Sequence, residues 1–215
     1  MFVLNITEVF CSIQGESTYA GLPCIFIRLA GCNLRCNYCD TTYSYESDIN
    51  LSHAEIITKI KDYEPVKLVE ITGGEPLLQN EVYELFELLN ENGYSTLLET
   101  NGSISLNNVP DYVVKIVDVK CPGSGEEKSF LLENLEYIHQ EKDEIKFVLT
   151  DNFDYNWAKD FVFKYKLNDY KILFSPVSDK IDPKDLAKWI LDDKLNVRMQ
   201  LQLHKIIWDK DKRGV

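Results

Sequence analysis

The chain has 215 residues, of which 45% are hydrophobic and 27% charged, and this is typical of a folded protein with one domain, residues 1–215. Its formal net charge is -12, with 35 acidic and 23 basic residues, so we expect no binding to nucleic acid. The N-terminal segment lacks the basic region of a secretory signal, and the apolar runs are too short to span a bilayer. We therefore expect a cytoplasmic protein without a membrane partner, where its six cysteines stay reduced.

Segments typical of strands and helices alternate along the chain. The predicted strands are Phe2–Phe10, Pro23–Ala30, Val66–Thr72, Ser95–Thr100, Val113–Val119, Glu144–Thr150, Lys171–Phe174 and Val197–Leu203. The predicted helices are Ser52–Tyr63, a helix from Val82 that stops at Gly93, Asn156–Tyr165, and a helix from Asp182 to about Leu191. The alternation favours an α/β fold with a parallel sheet, and the chain is too short for an eight-fold barrel. It predicts a partial, open (β/α) barrel.

Several polar and glycine-rich segments follow directly after predicted strands. They are Thr72-Gly73-Gly74, Glu99-Thr100-Asn101-Gly102, Asp118-Val119-Lys120 and Ser175-Pro176. Because the carboxyl ends of parallel strands meet at one rim, and the chemistry of such barrels sits there, we expect these segments to converge.

Three cysteines are concentrated in one short loop, at Cys32, Cys36 and Cys39. An iron–sulfur cube binds one cysteine per iron, so three cysteines leave one iron open for a ligand that is not a side chain. The alternative is a structural zinc site completed by a distant ligand such as His53 or Cys24, although zinc sites usually combine two short-spaced pairs. The spacing favours the cluster.

A charged residue, Arg28, interrupts the apolar strand Cys24-Ile25-Phe26-Ile27-Arg28-Leu29. Its planar guanidinium must reach a partner or a wet cavity, and it suits a bidentate carboxylate. This indicates a substrate that carries a carboxylate.

Two other polar features are less specific. Gln14-Gly15-Glu16 is a weak motif that also fits a simple turn, and His204 is compatible with either the core or a pocket.

The cysteine spacing, Tyr38 before the last cysteine, and the run Thr72-Gly73-Gly74-Glu75-Pro76 together resemble the radical S-adenosylmethionine (SAM) superfamily. The resemblance implies a barrel of the radical SAM type and a [4Fe-4S] cluster whose open iron chelates SAM. It also implies that Gly73 and Gly74 let the backbone approach the methionyl end of SAM, and that Glu75 accepts a hydrogen bond from its amino group.

A narrower resemblance covers nearly the whole chain from Phe2 onward. It rests on the following segments: Phe10-x3-Gln14-Gly15-Glu16, Arg28-Leu29-Ala30-Gly31-Cys32-Asn33-Leu34, Cys39-Asp40-Thr41 and Gln202-Leu203-His204-Lys205. With these the chain resembles the 7-carboxy-7-deazaguanine synthases. The likeness implies a carbon–nitrogen lyase that converts 6-carboxy-5,6,7,8-tetrahydropterin to 7-carboxy-7-deazaguanine and ammonia by radical ring contraction, in queuosine biosynthesis. It also implies a homodimer, and we expect an electron donor of the flavodoxin type.

The resemblance also implies roles for individual residues. Substrate contacts fall on Ile13, Gln14, Gly15, Arg28, Thr72 and the C-terminal Val215, and Glu16 is a further candidate acceptor for the pterin ring. SAM contacts fall on Gly74, Glu75, Asp118, Val119, Lys120, Ser175, Pro176, Val177 and Ser178. Cys32, Cys36 and Cys39 hold the cluster that cleaves SAM, and Thr41 is the implied Mg²⁺ ligand.

Two other functions are compatible with part of these motifs. A radical SAM activase, which generates a glycyl radical on a partner protein, would share the cluster and the Gly-Gly-Glu-Pro run. It would have no use for Gln14, Arg28 and Thr41 as a small-molecule carboxylate site. An interaction module with zinc or a cluster would need neither SAM nor substrate residues.

Overall fold

A computed structural model describes residues 3–209 and 212–215 of the chain. The strands are β1 Val3–Ile13, β2 Pro23–Leu29, β3 Asn50–Ser52, β4 Leu68–Gly73, β5 Ser95–Thr100, β6 Val114–Asp118, β7 Glu144–Leu149, β8 Lys171–Pro176 and β9 Arg198–Met199. The helices are α1 His53–Lys61, α2 Val82–Glu91, α3 Asn152–Lys164, α4 Pro183–Asp192 and the short α5 His204–Ile207. Phe2, where the first strand was predicted to begin, lies outside the described residues.

The described strands form one sheet in the order β3-β1-β2-β4-β5-β6-β7-β8-β9. From β2 to β9 every neighbouring pair is parallel, whereas β1 is antiparallel to both β2 and β3. The sheet ends at β3 and β9, so it does not close on itself within the described part of the chain. The prediction of a partial, open (β/α) barrel is confirmed.

Side chains alternate between the two faces of the sheet, and the two faces differ in polarity. On β4, Val69 and Ile71 are fully buried in the hydrophobic core, while Glu70 and Thr72 point to the opposite face. On β7, Ile145, Phe147 and Leu149 likewise enter the core, while Lys146 and Val148 face the other way. The apolar face packs under the helices, and the polar face lines the interior of the barrel.

Local capping explains where the helices begin. Ser52 and Glu55 form the predicted capping box before α1, with the Ser52 side chain accepting from the Glu55 amide. Asp182 caps α4 ahead of Pro183, as predicted. Helix α3 begins four residues earlier than predicted, at Asn152, because the Asp151 side chain accepts from the Asp154 amide and caps it.

The predicted strand Val197–Leu203 was too long. Only Arg198 and Met199 pair with β8, and α5 follows from His204. The Gln200 amide still bonds to the Phe174 carbonyl, at 2.9 Å, but the chain then leaves the sheet edge. The Leu203 amide bonds to the Gly15 carbonyl at 2.9 Å, so the chain crosses the open end of the barrel.

None of the helices within the described residues is long and apolar enough to cross a membrane.

Candidate active site

The carboxyl ends of the parallel strands open into a cavity of about 980 Å³. Five successive strands each contribute a polar side chain to its wall: Arg28 from β2, Thr72 from β4, Glu99 from β5, Asp118 from β6 and Lys146 from β7. The convergence that the sequence predicted for the strand ends is therefore present.

The cysteine loop forms one wall of this cavity. Cys32, Cys36 and Cys39 all line it, and each is partly buried. The Arg35 guanidinium braces the loop, since its Nη1 donates to the carbonyls of Cys32 and Leu34, both at 2.8 Å. Burial raises the pKa of Cys36 to about 11, and the nearby Lys120 ammonium opposes this rise.

These thiols suit an iron–sulfur cluster better than zinc. Within the described ranges, no three His, Cys, Asp or Glu side chains group so as to hold one metal ion. A zinc ion needs its ligands at about 2.0–2.3 Å from a single point. A [4Fe-4S] cube takes each thiolate on a different iron, so three cysteines that share one cavity wall are an appropriate set.

The glycine pair after β4 is packed against the start of the cysteine loop. A Cβ on Gly74 would lie 2.0 Å from the Gly31 oxygen, and a Cβ on Gly73 would lie 2.1 Å from the Leu29 oxygen. Gly73 also has a φ of +141°, which side chains rarely adopt. The glycines are thus needed for protein packing, and Gly74 in addition lines the cavity.

The predicted contact of Glu75 with SAM is not what the geometry favours. Its carboxylate is fully buried and accepts from the Leu77 amide at 3.0 Å, the Asn101 amide at 2.7 Å and the Thr100 hydroxyl at 2.9 Å. Burial raises the pKa of Glu75, and these donors partly offset that effect. The structure gives Glu75 the role of tying the turn after β4 to the end of β5.

The remaining residues predicted to contact SAM divide into two groups. Asp118, Lys120, Val177 and Ser178 line the cavity. Val119, Ser175 and Pro176 are buried and, in the described structure, lie outside its lining, so a contact through their side chains is disfavoured. Lys120 Nζ lies 2.7 Å from Asp118 Oδ2. Burial lowers the pKa of Lys120, but Asp118 outweighs it and the net pKa is raised, which keeps the ammonium charged.

The residues predicted to contact substrate all line the same cavity. They are Ile13, Gln14, Gly15, Glu16, Arg28, Thr72 and Val215. Arg28 Nε donates to Glu8 Oε1 at 2.8 Å, and the structure gives this side chain no other hydrogen bond among the described residues. The terminal nitrogens of the fork therefore remain for a carboxylate.

Gln14 has a different role from the one expected. Its side chain is buried, with Nε2 donating to Glu70 and Oε1 accepting from the Glu16 amide at 3.0 Å. Both ends of the amide are used within the protein, so Gln14 shapes the loop after β1 and keeps only part of its hydrogen-bonding capacity for a ligand. Glu16 accepts from Lys146, Gln200 and Gln202, which also reduces its capacity for substrate.

The sequence analysis missed two charged residues of the cavity, Glu70 and Lys146, and it placed Glu99 at the rim without assigning it a role. Burial raises the pKa of Glu70 well above its ordinary value, and Glu99 and Glu16 raise it further. Glu70 and Lys146 each lie within an apolar strand, which is the signal that identified Arg28. The same argument would have found both.

The C-terminal segment closes one side of the cavity, and His204 lies in the cavity wall. A Cβ on Gly15 would lie 2.2 Å from His204 Nδ1, so Gly15 is required for this contact. Lys205 Nζ bonds to Asp40 Oδ2 at 2.6 Å, and the Arg213 guanidinium lies 3.9 Å from the centre of the Tyr43 ring. These contacts join the C-terminus to the cysteine loop.

Thr41 lies in the same wall, and its hydroxyl donates to Asp40 Oδ1 at 2.9 Å. The hydroxyl oxygen keeps its lone pairs, which suit a hard cation that takes oxygen ligands. Burial favours the protonated Asp40, but Lys205 outweighs it and the pKa of Asp40 is lowered well below its usual range.

Comparison with known proteins gives a consistent result. Residues 26–121 match the radical SAM superfamily. A protein of Koribacter versatilis named 7-carboxy-7-deazaguanine synthase is 47% identical over 99% of this chain and 100% of its own length. One of the same name from Chlorobaculum tepidum is 44% identical over 99% of this chain and 97% of its own. The crystal structure of QueE from Escherichia coli superposes with a TM-score of 0.78 at 27% identity, covering 95% of this chain and 96% of that one.

Proposed function

The chain belongs to the 7-carboxy-7-deazaguanine synthase family, and we propose that its strand-end cavity is where the reaction of that family takes place. The chain is a radical SAM lyase that converts 6-carboxy-5,6,7,8-tetrahydropterin to 7-carboxy-7-deazaguanine and ammonia, a ring contraction of queuosine biosynthesis. The observation that carries the proposal is that the three cysteines and Arg28 line one cavity. Residues 1–215 act together as a single radical SAM domain.

Cys32, Cys36 and Cys39 hold a [4Fe-4S] cluster in this proposal, and the cavity-lining side chains at and after the end of β6 and just after β8 lie beside SAM. When bound, the cluster and SAM together supply a carbon-centred radical that removes a hydrogen atom from the substrate. Gly74 lines the SAM side without a side chain, and Asp118 and Lys120 add a carboxylate and an ammonium.

On the substrate side, Arg28 binds the carboxylate of the pterin with the terminal nitrogens that Glu8 leaves free. Thr72 and Glu99 offer oxygen atoms to the ring, which carries several N–H donors. The hydroxyl of Thr41 would be the protein ligand for Mg²⁺, a hard cation that takes oxygen ligands and would help to hold an anionic substrate.

The C-terminal segment excludes water from the reacting groups. Lys205 bonds to Asp40 of the cysteine loop, and Val215 lines the cavity. Exclusion of water protects a radical from side reactions and strengthens the contacts of Arg28 with an anionic group.

We also propose a homodimer that receives its electron from a donor of the flavodoxin type in the cytoplasm. Exposed apolar side chains on and beside the C-terminal helix, Ile206 and Leu201, support an interface with a second copy. All six cysteines are free thiols, which persist in a reducing compartment.

The test is anaerobic turnover of the reconstituted protein with SAM, a reductant, Mg²⁺ and 6-carboxy-5,6,7,8-tetrahydropterin. We expect a deazapurine chromophore and ammonia in equal amounts. If SAM is cleaved to 5′-deoxyadenosine and no deazapurine forms, the assignment of the cluster stands and the assignment of the pterin as substrate is refuted. That result would favour an enzyme that activates a partner protein. Iron and sulfide analysis should give about four of each per chain, whereas zinc alone would refute the cluster.

A further inference from the structure

Lys146 is the buried ammonium at the floor of the cavity. It lies on β7 with 4% of its surface exposed, and its partner in the strand register is Asp118 of β6. Its Nζ bonds to Glu99, lies 3.1 Å from Glu16 Oε2 and lies 3.8 Å from Asp118 Oδ2. Three different segments of the chain thus meet at one nitrogen.

The ammonium of a lysine has three protons, and in the described structure three carboxylates surround this one. Burial lowers the pKa of Lys146, but the attraction of Glu16, Glu99 and Asp118 outweighs it and the pKa is raised well above its ordinary value. The ammonium therefore stays charged, with hydrogen bonds to Glu16 and Glu99 and an ion pair with Asp118. This arrangement argues that Lys146 acts by holding the neighbouring carboxylates in place.

The carboxylates around Lys146 belong to both halves of the cavity. Glu16 and Glu99 lie among the residues of the substrate side. Asp118 connects Lys146 with the SAM side, because its Oδ2 also lies 2.7 Å from Nζ of Lys120, which the proposed function places beside SAM. Lys146 is the cation between these two halves.

We propose that Lys146 is a positioning residue that holds Glu16 and Glu99 for the substrate and, through Asp118, holds Lys120 for SAM. The inference rests on the proposed function for the identity of the two ligands. Without Lys146, the carboxylates of Glu16, Glu99 and Asp118 repel one another, and the walls of both halves separate.

The experiment compares Lys146→Met with a matched control, Lys115→Met. Lys115 is also a buried lysine within a strand, with its Nζ 3.0 Å from Asp143, but it lies outside the lining of the cavity in the described structure. Two affinities are measured: 6-carboxy-5,6,7,8-tetrahydropterin on the cluster-free protein by anaerobic calorimetry, and SAM on the reconstituted protein from the EPR spectrum of the reduced cluster.

For Lys146→Met we expect the pterin affinity to fall at least tenfold and the SAM affinity at least threefold, with both within twofold of wild type in Lys115→Met. A folded Lys146→Met protein that binds either ligand as wild type does would overturn the proposal. If Lys146→Met does not fold, Lys146→Arg decides. It keeps the charge with different geometry, so we expect at least a threefold loss of both affinities, and wild-type binding would show a merely structural role.

Turnover by the wild-type protein separates this inference from the proposed function. A wild-type protein that makes no deazapurine refutes the function. The SAM titration still tests the connection from Lys146 through Asp118 to Lys120, because it needs only the cluster and SAM.

Discussion

Replacement of Glu75 by glutamine tests whether this residue supports the protein or binds SAM. Glu75 Oε1 accepts from the Leu77 amide and Oε2 accepts from the Asn101 amide, while the Thr100 hydroxyl lies 2.9 Å from both oxygens. Glutamine keeps only one acceptor oxygen, so one buried backbone N–H must face an NH₂ group.

The loss can be estimated from these contacts. A hydrogen bond to a charged acceptor contributes about 1.5–3 kcal/mol, and a buried donor left unpaired costs about 1–3 kcal/mol. We expect Glu75→Gln to lower the free energy of unfolding by about 3 kcal/mol, which in a chain of this size lowers the Tm by roughly 6–12 °C.

The assay is thermal unfolding of the cluster-free protein, followed by circular dichroism under anaerobic conditions. The control is Glu87→Gln on α2, an exposed position where the same change of charge should cost no more than about 0.5 kcal/mol. A Glu75→Gln protein that melts within about 2 °C of wild type but binds SAM tenfold more weakly would refute the structural role and restore the expected contact with SAM.

Three further substitutions test the cavity. Arg28→Ala should lower kcat/KM for the pterin at least tenfold, because a charge-assisted contact contributes about 1.5–3 kcal/mol. Slow SAM cleavage should persist in this variant. Undiminished deazapurine formation would show that Arg28 does not belong to the site. Gly74→Ala forces a Cβ to within 2.0 Å of the Gly31 oxygen, and we expect less than half the wild-type iron after reconstitution, measured by iron analysis. Glu70 has a raised pKa, caused first by burial and then by Glu99 and Glu16, so the folded state binds its proton more tightly than the unfolded state. Stability should therefore fall as pH rises from the unfolded pKa through the folded one, and Glu70→Gln, which still accepts from Gln14, should flatten that fall in denaturant titrations.

The fold was largely predictable because apolar periodicity identifies the strands and helices, and local capping residues mark where the helices begin. Ser95–Thr100 was predicted to the residue, and the capping box at Ser52 placed α1 correctly. The segment after Met199 was predicted as strand, and the alternation of polar and apolar residues in Gln200-Leu201-Gln202-Leu203 is typical of one. Its actual course depends on the contact of Leu203 with Gly15, which are far apart in sequence, and local propensity carries no information on such a contact.

The sequence predicted that Cys32, Cys36 and Cys39 lie together, and all three line the cavity; that they hold a cluster stays a prediction. Prediction was less accurate where a polar group had a choice of partners. Gln14 and Glu75 were expected to contact ligands, yet Glu75 is fully buried with four hydrogen bonds from the protein, and Gln14 uses both ends of its amide within the protein. Which partner a buried polar group takes depends on the register of strands distant in sequence, so it follows only from the tertiary structure.

The distribution of charge in the cavity fixes the orientation of a ligand that carries one carboxylate. Arg28 on β2 is held by a single carboxylate, Glu8, and keeps hydrogen-bonding capacity. Four strands away along the sheet, on β7, Lys146 is surrounded by more carboxylates than it can neutralise, and Glu70 lies near them. A ligand carboxylate placed there would meet like charges in a poorly solvated site, whereas N–H donors of a ring would meet acceptors. In the proposed site, repulsion by the carboxylates around Lys146 therefore orients the substrate together with attraction to Arg28. A chain of net charge -12 can bind an anionic substrate in this way, because the substrate carboxylate meets the free donors of Arg28 while the N–H groups of the ring meet the acceptors around Lys146.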